Sequence, residues 1–171
     1  MNNLNPDQTS QNSDESIAPA QDATNLSPSE IKLELERRGH IVTSWKQIGE
    51  ITLPTTAVAS MFKVGLPDNP QAPTIFKMWF PPGCLIESHT HDCDYSEIIL
   101  EGAQQVGRKW LYPGDVRIGL ANRGYGPLLA GPEGASVLVI FATGKWPGIP
   151  LTKGGGDTLA TTEINSQFEI H

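Results

Sequence analysis

The stretch GCLIESHTHDCDYSEIILEG, residues 83–102, decides the fold, because it sets two histidines between two glycines in a mostly extended run. His89 and His91 are separated by one residue, and in an extended chain alternate side chains point to the same side. Both imidazoles can then converge on one ion. Since two ligands alone do not complete a metal site, the rest of the sequence must show what accompanies them.

Strand-length apolar runs follow one another from Ile41 onward, separated by Gly, Pro and Asn. Such a pattern, without a second long helical period, is typical of an all-β sandwich or barrel. Residues 104–110, QQVGRKW, predict a tight hairpin with Gly107 and Arg108 at its turn. In the run FKMWF, alternation predicts that one face belongs to the core; its members are Phe76, Met78 and Phe80.

Residues 1–26 are rich in Asn, Gln, Ser, Asp and Pro and hold few large apolar side chains. They cannot bury enough surface to offset the entropy of ordering, so we expect a disordered tail. Residues 27–39, SPSEIKLELERRG, predict a short helix with Ser27 as N-cap and Gly39 just beyond its end. We expect a β domain over residues 40–150, followed by a C-terminal extension over residues 151–171.

The formal net charge is −7, and residues 1–31 hold five acidic side chains and no Lys or Arg. No basic face remains for a phosphate backbone, which argues against nucleic acid binding. No apolar stretch approaches the ~20 residues of a membrane span, and the sequence shows no signal peptide. We therefore expect no membrane partner, a cytoplasmic location, and free thiols at Cys84 and Cys93 rather than a disulfide across the short loop between them.

Gly83, five further residues, His89, His91 and later Gly102 resemble the first motif of the cupin superfamily, G-x5-H-x-H-x3,4-E-x6-G. Residues 112–127, YPGDVRIGLANRGYGP, are similar to the second motif, G-x5-P-x-G-x2-H-x3-N. The resemblance implies an antiparallel jelly-roll barrel of about six to eight strands. It also implies a divalent ion, such as Fe, Mn, Ni or Zn, held by three His and one Glu at the barrel mouth, and a homodimer.

His89 and His91 match the first two ligand positions of the motif, but Tyr95 or Ser96 stands where the Glu is expected. On a strand that begins near Tyr95, Glu97 lies on the same face, roughly 6.6 to 6.8 Å further along. A carboxylate inside the barrel is costly unless it meets a cation, a metal or hydrogen-bond donors. Glu97 is therefore a displaced metal ligand, an acid or base that lines the pocket, or an outward residue if a bulge shifts the register.

Tyr125 stands where the second motif has its histidine. Its phenol could ligate Fe(III), donate a hydrogen bond to a bound carbonyl, or serve packing and hydrogen bonding alone, which we favour. The motif proline, glycine and final asparagine are replaced by Leu120, Asn122 and Leu129. The glycine replacement is mild, because Asn tolerates the left-handed backbone conformation that Gly supplies.

Further side chains near the histidines offer weaker alternatives. Cys93 could complete a His-His-Cys set suited to Zn or Fe, although a free thiol in a loop is the plainer interpretation. Asp92 and Asp94 could ligate a hard ion, but acidic loop residues are most often solvated. Arg117 and Arg123 could clamp a carboxylate substrate, although for each alone we favour a solvated position at the surface.

The sequence thus predicts a metal-dependent cupin enzyme that acts on a small organic molecule, with His89, His91 and Glu97 as metal ligands and Glu97 and Tyr125 as catalytic residues. A dioxygenase, an isomerase, a lyase and a decarboxylase all stay open. The alternative is a non-catalytic cupin that binds a small molecule or acts as a sensor, having lost half of its metal ligands. A purely structural dimerisation module is less favoured, because polar groups that converge inside a barrel are costly to keep.

Overall fold

The computed structural model describes residues 25–151. The predicted disordered tail lies outside these residues except for its last two positions, and the predicted C-terminal extension lies outside them except for Leu151. No helix in the described part of the chain is long and apolar enough to cross a membrane.

Helix α1, Pro28–Arg38, confirms the predicted N-terminal helix. The Ser27 side chain accepts a hydrogen bond from the backbone N–H of Glu30, and the Glu30 carboxylate accepts one from Ser27 in return. Gly39 ends the helix in the left-handed conformation, with φ of 76°. None of the residues of α1 is buried, and an ion pair between Lys32 and Asp68 ties the helix to a loop.

A second helix, α2, spans Trp45–Ile48 and begins at the last residue of the run HIVTSW, residues 40–45, which belongs to the strand-length runs expected from Ile41 onward. That prediction was wrong for a local reason. The Gln47 side chain accepts a hydrogen bond from the backbone N–H of Ser44 over 3.1 Å and so closes the first helical turn.

The β domain is antiparallel throughout the described residues. Its strands are β1 Ile51–Thr52, β2 Val58–Lys63, β3 Thr74–Phe80, β4 Leu85–Ile86, β5 His89–Thr90, β6 Tyr95–Val106, β7 Lys109–Leu111, β8 Val116–Gly119, β9 Leu128–Phe141 and β10 Ile149–Pro150. The larger sheet has the order β1-β2-β3-β9-β6-β7, with β4 added on β9 and β8 on β6, and β10 pairs with β5 in a second sheet. This arrangement confirms the predicted all-β fold class.

The core lies on the inward faces of the central strands. Phe76 and Phe80 of β3 are buried there, as the alternation in FKMWF predicts, whereas Trp79 on the other face is 39% exposed. The predicted hairpin is present, because Val106 at the end of β6 faces Lys109 at the start of β7.

Strand β6 carries Glu97 and lies between strands β9 and β8. Glu97 faces Val139 of β9 on one side and Arg117 of β8 on the other. The register shifts of β6 lie beyond Ile99 and do not reach Glu97, so its side chain points inward and is 4% exposed. The alternative in which a bulge turns Glu97 outward is therefore wrong.

Gly102 explains why the motif needs its second glycine. Its φ is 69°, a conformation that favours glycine, and a Cβ there would overlap the backbone carbonyl of Gly134. The close crossing of β6 and β9 at the bulge depends on this missing side chain.

Candidate functional site

A short backbone bridge sets Tyr125 opposite His89. The N–H of His89 donates to the carbonyl of Tyr125 over 3.0 Å, and the N–H of Tyr125 donates to the carbonyl of His89 over 3.0 Å. His91 follows β5 directly, and its carbonyl accepts a hydrogen bond of 2.8 Å from the N–H of Asn122. Asn122 has φ of 59°, which confirms that it takes the left-handed conformation of the motif glycine.

The two imidazoles converge on one atom, the phenolic oxygen of Tyr125. That oxygen lies 2.7 Å from Nε2 of His89 and 2.9 Å from Nε2 of His91. The imidazole rings stand almost perpendicular, at 89°, with centroids 5.0 Å apart. The i, i+2 spacing in the sequence therefore brings both side chains to the same point.

Both histidines are held by their other ring nitrogen. Nδ1 of His89 lies 2.8 Å from the carbonyl oxygen of Glu87, and Nδ1 of His91 lies 2.5 Å from that of Trp146. A carbonyl only accepts, so each Nδ1 carries a proton, and each neutral ring presents a lone pair at Nε2. Burial, helped by the neighbouring His89, lowers the pKa of His91 to about 4, and burial also lowers the pKa of His89.

With these tautomers, the Nε2 lone pairs of His89 and His91 both face the single hydroxyl hydrogen of Tyr125. The phenol of Tyr125 has one hydrogen to donate, and two Nε2 lone pairs face it. The phenol can therefore donate to only one of the two Nε2 atoms at a time. A cation bound by both nitrogens would accept the two lone pairs together.

The side chain of Arg117 stacks on the ring of Tyr125 and forms an ion pair with the buried carboxylate of Glu97. Its Nε donates to Oε2 of Glu97 over 2.8 Å, and its Nη2 lies 2.6 Å from Oε1 in an ion pair that lacks hydrogen-bond alignment. Its Nη1 donates to the hydroxyl of Tyr95 over 2.7 Å. The guanidinium carbon stands 3.9 Å from the ring centroid of Tyr125 and 5.1 Å from that of Tyr95. A cation stacked on a phenol ring is attracted by its π face.

The preference for a solvated Arg117 was wrong, because its side chain is only 17% exposed. The reason is the register of β8, which turns Arg117 inward beside Glu97. Burial raises the pKa of Glu97 and Arg117 opposes that rise. For Arg117, burial favours loss of the proton, but Glu97 outweighs it and keeps the pKa above its ordinary value.

Tyr95 packs directly against a glycine that the sequence did not single out. Tyr95 pairs with Gly119 of β8, and a Cβ on Gly119 would overlap the phenol ring of Tyr95. Burial raises the pKa of Tyr95, while Arg117 lowers it. The available signal was a glycine inside a predicted strand, which often marks a close approach.

The segment that leads into β10 is a second feature that the sequence did not reveal. The carbonyls of Trp146 and Pro147 both face Nδ1 of His91, at 2.5 and 3.3 Å. Strand β10 then pairs with β5, so that Pro150 faces His89. The end of the β domain thus orients both histidines, although it lies more than 50 positions away in the chain.

The other candidate residues lie apart from the convergence point. The thiol of Cys93 donates to the carbonyl of Lys145 over 3.2 Å, and both cysteines are buried and free. Asp94 accepts a hydrogen bond of 2.8 Å from the N–H of Ala121, while Arg123 is exposed. Among residues 25–151, no three or more His, Cys, Asp or Glu side chains are grouped so as to hold a metal ion.

Several solved structures share this fold at low sequence identity. The polyketide cyclase RemF from Streptomyces resistomycificus superposes with a TM-score of 0.55 at 15% identity, over 68% of this chain and 88% of that one. An RmlC-like cupin from Shewanella frigidimarina gives 0.51 at 18% identity, over 60% and 89%. A mutant of the oxalate decarboxylase from Bacillus subtilis gives 0.53 at 21%, over 66% of this chain and 34% of that one.

The chain thus spans about a third of the length of the oxalate decarboxylase. No family model and no curated protein sequence matches the chain. The structural neighbours and the antiparallel sheet order agree with the two motifs read from the sequence. The chain therefore has the cupin fold.

Proposed function

We propose that this protein is a metal-dependent cupin that acts on a small organic molecule, with His89 and His91 holding the ion. One observation carries the proposal: two neutral imidazoles direct their Nε2 lone pairs at one point, where the phenol of Tyr125 offers a single hydrogen to the two of them. Locking Nδ1 on a backbone carbonyl is the usual way in which a protein orients a histidine ligand. The donor set therefore fits a cation.

The ion, when bound, would act as a Lewis acid that polarises a carbonyl or as a template for the substrate. The chain itself supplies a proton at the phenolic oxygen of Tyr125 and a fixed positive charge at Arg117. Glu97 holds that charge in place, because both of its oxygens face the guanidinium. The role of Glu97 as a metal ligand stays a prediction, and in that role the carboxylate would have to leave Arg117.

The names of the fold neighbours support a small substrate. One acts on oxalate and another is a polyketide cyclase. Each name denotes an enzyme that acts on an organic compound, and a small organic molecule is the substrate class we propose for this chain. The reaction type stays open among the four classes named above.

Metal content tests this proposal directly. The chain is purified without chelator, and the bound metals are measured by elemental analysis before and after reconstitution with Fe(II), Mn(II), Ni(II) and Zn(II). We expect close to one ion per chain, lost in His89→Ala and in His91→Ala. The control is His40→Ala, because His40 is exposed and lies outside the site. A wild-type chain that takes up none of these metals would refute the proposal.

A second function, a non-catalytic small-molecule binder or sensor, is favoured by a different observation. The hydroxyl of Tyr125 already lies where the two nitrogens meet, and the described residues group no third His, Cys, Asp or Glu with them. The two functions are separated by mass spectrometry of the small molecules that denaturation of the purified protein releases. A co-purified organic molecule without bound metal would favour the binder.

The homodimer and the cytoplasmic location stay predictions. Sedimentation velocity of the full chain tests the first, with a single species of twice the 18.5 kDa chain mass as the expected result.

A further inference from the structure

We propose that strand β8 is a docking surface for a second copy of this chain, and that the two β8 strands pair antiparallel about a two-fold axis at Ile118. The inference is independent of the proposed function, because it concerns the outer edge of the sheet rather than the point where the histidines converge. The homodimer expected from the cupin resemblance names no interface, whereas this inference assigns one.

One edge of β8 is open. In the described part of the chain, β8 pairs with β6 alone. The N–H of Ile99 donates to the carbonyl of Asp115 over 3.1 Å, which marks a hydrogen-bonded pair of this ladder. Such pairs alternate along an antiparallel ladder, so Arg117 directs its backbone groups at β6. The N–H and C=O groups of Val116 and Ile118 therefore line the open edge.

The side chains along this edge are apolar and exposed. Val116, Ile118 and Leu120 are 57%, 77% and 59% exposed. On the neighbouring strand, Ile98 faces Val116, and Leu100 is 41% exposed. Edge strands of natural proteins commonly carry an outward Lys, a Pro or a bulge that prevents pairing with another chain. The two side chains that β8 exposes to solvent carry no charge, so this edge is unprotected.

The charged residue of β8 does not oppose such pairing. Arg117 turns inward, and its charge is balanced there by Glu97, with Nη2 and Oε1 2.6 Å apart. A second chain that covers the outer edge therefore leaves no charge without a partner. An outward arginine would instead meet its own copy near the two-fold axis, where like charges destabilise a strand pair.

The charges at the two ends of β8 favour a second copy as the partner. Asp115 lies directly before the strand, Arg123 lies beyond its end, and both are exposed. In an antiparallel pair the start of one strand meets the end of the other, so Asp115 approaches the partner's Arg123. Apolar residues also meet apolar ones, because Val116 stands opposite the partner's Leu120 and Ile118 stands opposite its own copy. The edge is thus complementary to itself in hydrogen bonding, hydrophobicity and charge.

Sedimentation velocity of the full chain over a range of concentrations tests the pairing. We expect a reversible dimer whose dissociation constant rises by at least about 30-fold in Ile118→Lys, because two ammonium groups would then meet on the axis. This variant should fold, since Ile118 is 77% exposed. Val42→Lys is the matched control, because it places the same charge on an exposed valine outside β8, and it should leave the dissociation constant unchanged.

Either of two results would overturn the proposal in this assay. One is a wild-type chain that stays monomeric at every concentration. The other is a dimer that Ile118→Lys leaves intact, which would place the interface elsewhere.

Amide hydrogen exchange, resolved by residue with NMR, tests the interface on the wild-type chain itself. In the dimer the N–H of Ile118 donates to the carbonyl of its own copy, so its exchange should be at least about tenfold slower than after dilution to the monomer. The N–H of Arg117 is the internal control, because it bonds to β6 within one chain and should not respond to dilution. Equal exchange of the Ile118 N–H at both concentrations would overturn the pairing. Neither measurement depends on bound metal, so the proposed function is tested separately.

Discussion

Replacement of Arg117 by methionine is the sharpest test of how the site is held together. The substitution leaves the Glu97 carboxylate, 4% exposed, without its cation. Removing one partner of a buried ion pair costs about 3–5 kcal/mol, because the remaining charge stays uncompensated. The Arg117 side chain is 17% exposed, which leaves little room for water to replace it. We therefore expect Arg117→Met to lower the free energy of unfolding by about 3–5 kcal/mol.

Urea unfolding of the wild type and of Arg117→Met measures this loss, and a double variant isolates its cause. Glu97→Leu with Arg117→Met removes both charges, and an apolar pair of similar volume is often as stable as the ion pair that it replaces. We expect the double variant to recover at least about 2 kcal/mol of what Arg117→Met loses. The control Arg123→Met removes an exposed arginine and should change stability by less than about 0.5 kcal/mol.

The pH dependence of the stability of Arg117→Met tests the same argument independently, because the direction of the change with pH can be predicted. Burial already raises the pKa of Glu97 above its ordinary value of 4.5, and Arg117 opposes that rise. Without Arg117 the pKa of Glu97 in the folded state rises further, so the folded chain binds the proton more tightly than the unfolded chain. The destabilisation of Arg117→Met should thus be full above the raised pKa and decline as the pH falls toward 4.5. A loss below about 1 kcal/mol, or one that is independent of pH, would refute the buried-pair argument.

Three further predictions follow from the same structure. Gly119→Ala should destabilise the chain by about 1–3 kcal/mol, because its Cβ would overlap the Tyr95 ring, whereas Gly131→Ala, with milder contacts, should cost less in the same urea assay. Saturating metal, at about 100 times its Kd, should add about 2.7 kcal/mol to the wild type by thermal melting and nothing to His89→Ala; a gain that persists in that variant would place the ion elsewhere. Ser27→Ala should speed hydrogen exchange in the first turn of α1 without changing exchange in β6 or β9, since none of the α1 residues is buried. Faster exchange in those strands would show that the helix supports the β domain.

The fold was predictable because its signals are local. The hairpin at Gly107, the capping box at Ser27 and the alternation in FKMWF each depend on a few neighbouring residues, and the structure confirms all three. The helix α2 was missed although its signal was equally local. Ser44 and Gln47 have the spacing of a capping box, but the apolar run in front of them favoured a strand.

The sequence predicted that Glu97 points inward and needs a cation, but it did not predict which cation that is. Its inward direction and its need for a cation follow from strand geometry and from the cost of a buried carboxylate. The identity of that cation depends on the register between β6 and β8, which pairs Glu97 with Arg117 across 20 positions of sequence. A one-residue slip of β8 would turn Arg117 to solvent, so sequence alone favoured a solvated arginine.

The protonation of the histidines shows where sequence reasoning had to stop. The spacing of His89 and His91 predicts convergence, but a lone pair at Nε2 requires that Nδ1 donate its proton elsewhere. For His91 that acceptor is the carbonyl of Trp146, 55 positions away, and carbonyls carry no sequence signal at all. The structure shows both carbonyls that accept the Nδ1 protons, those of Glu87 and Trp146. Once these acceptors are known, two Nε2 lone pairs can be counted against one phenolic proton. That deficit, rather than the presence of two histidines, is the reason to expect a cation beside Tyr125.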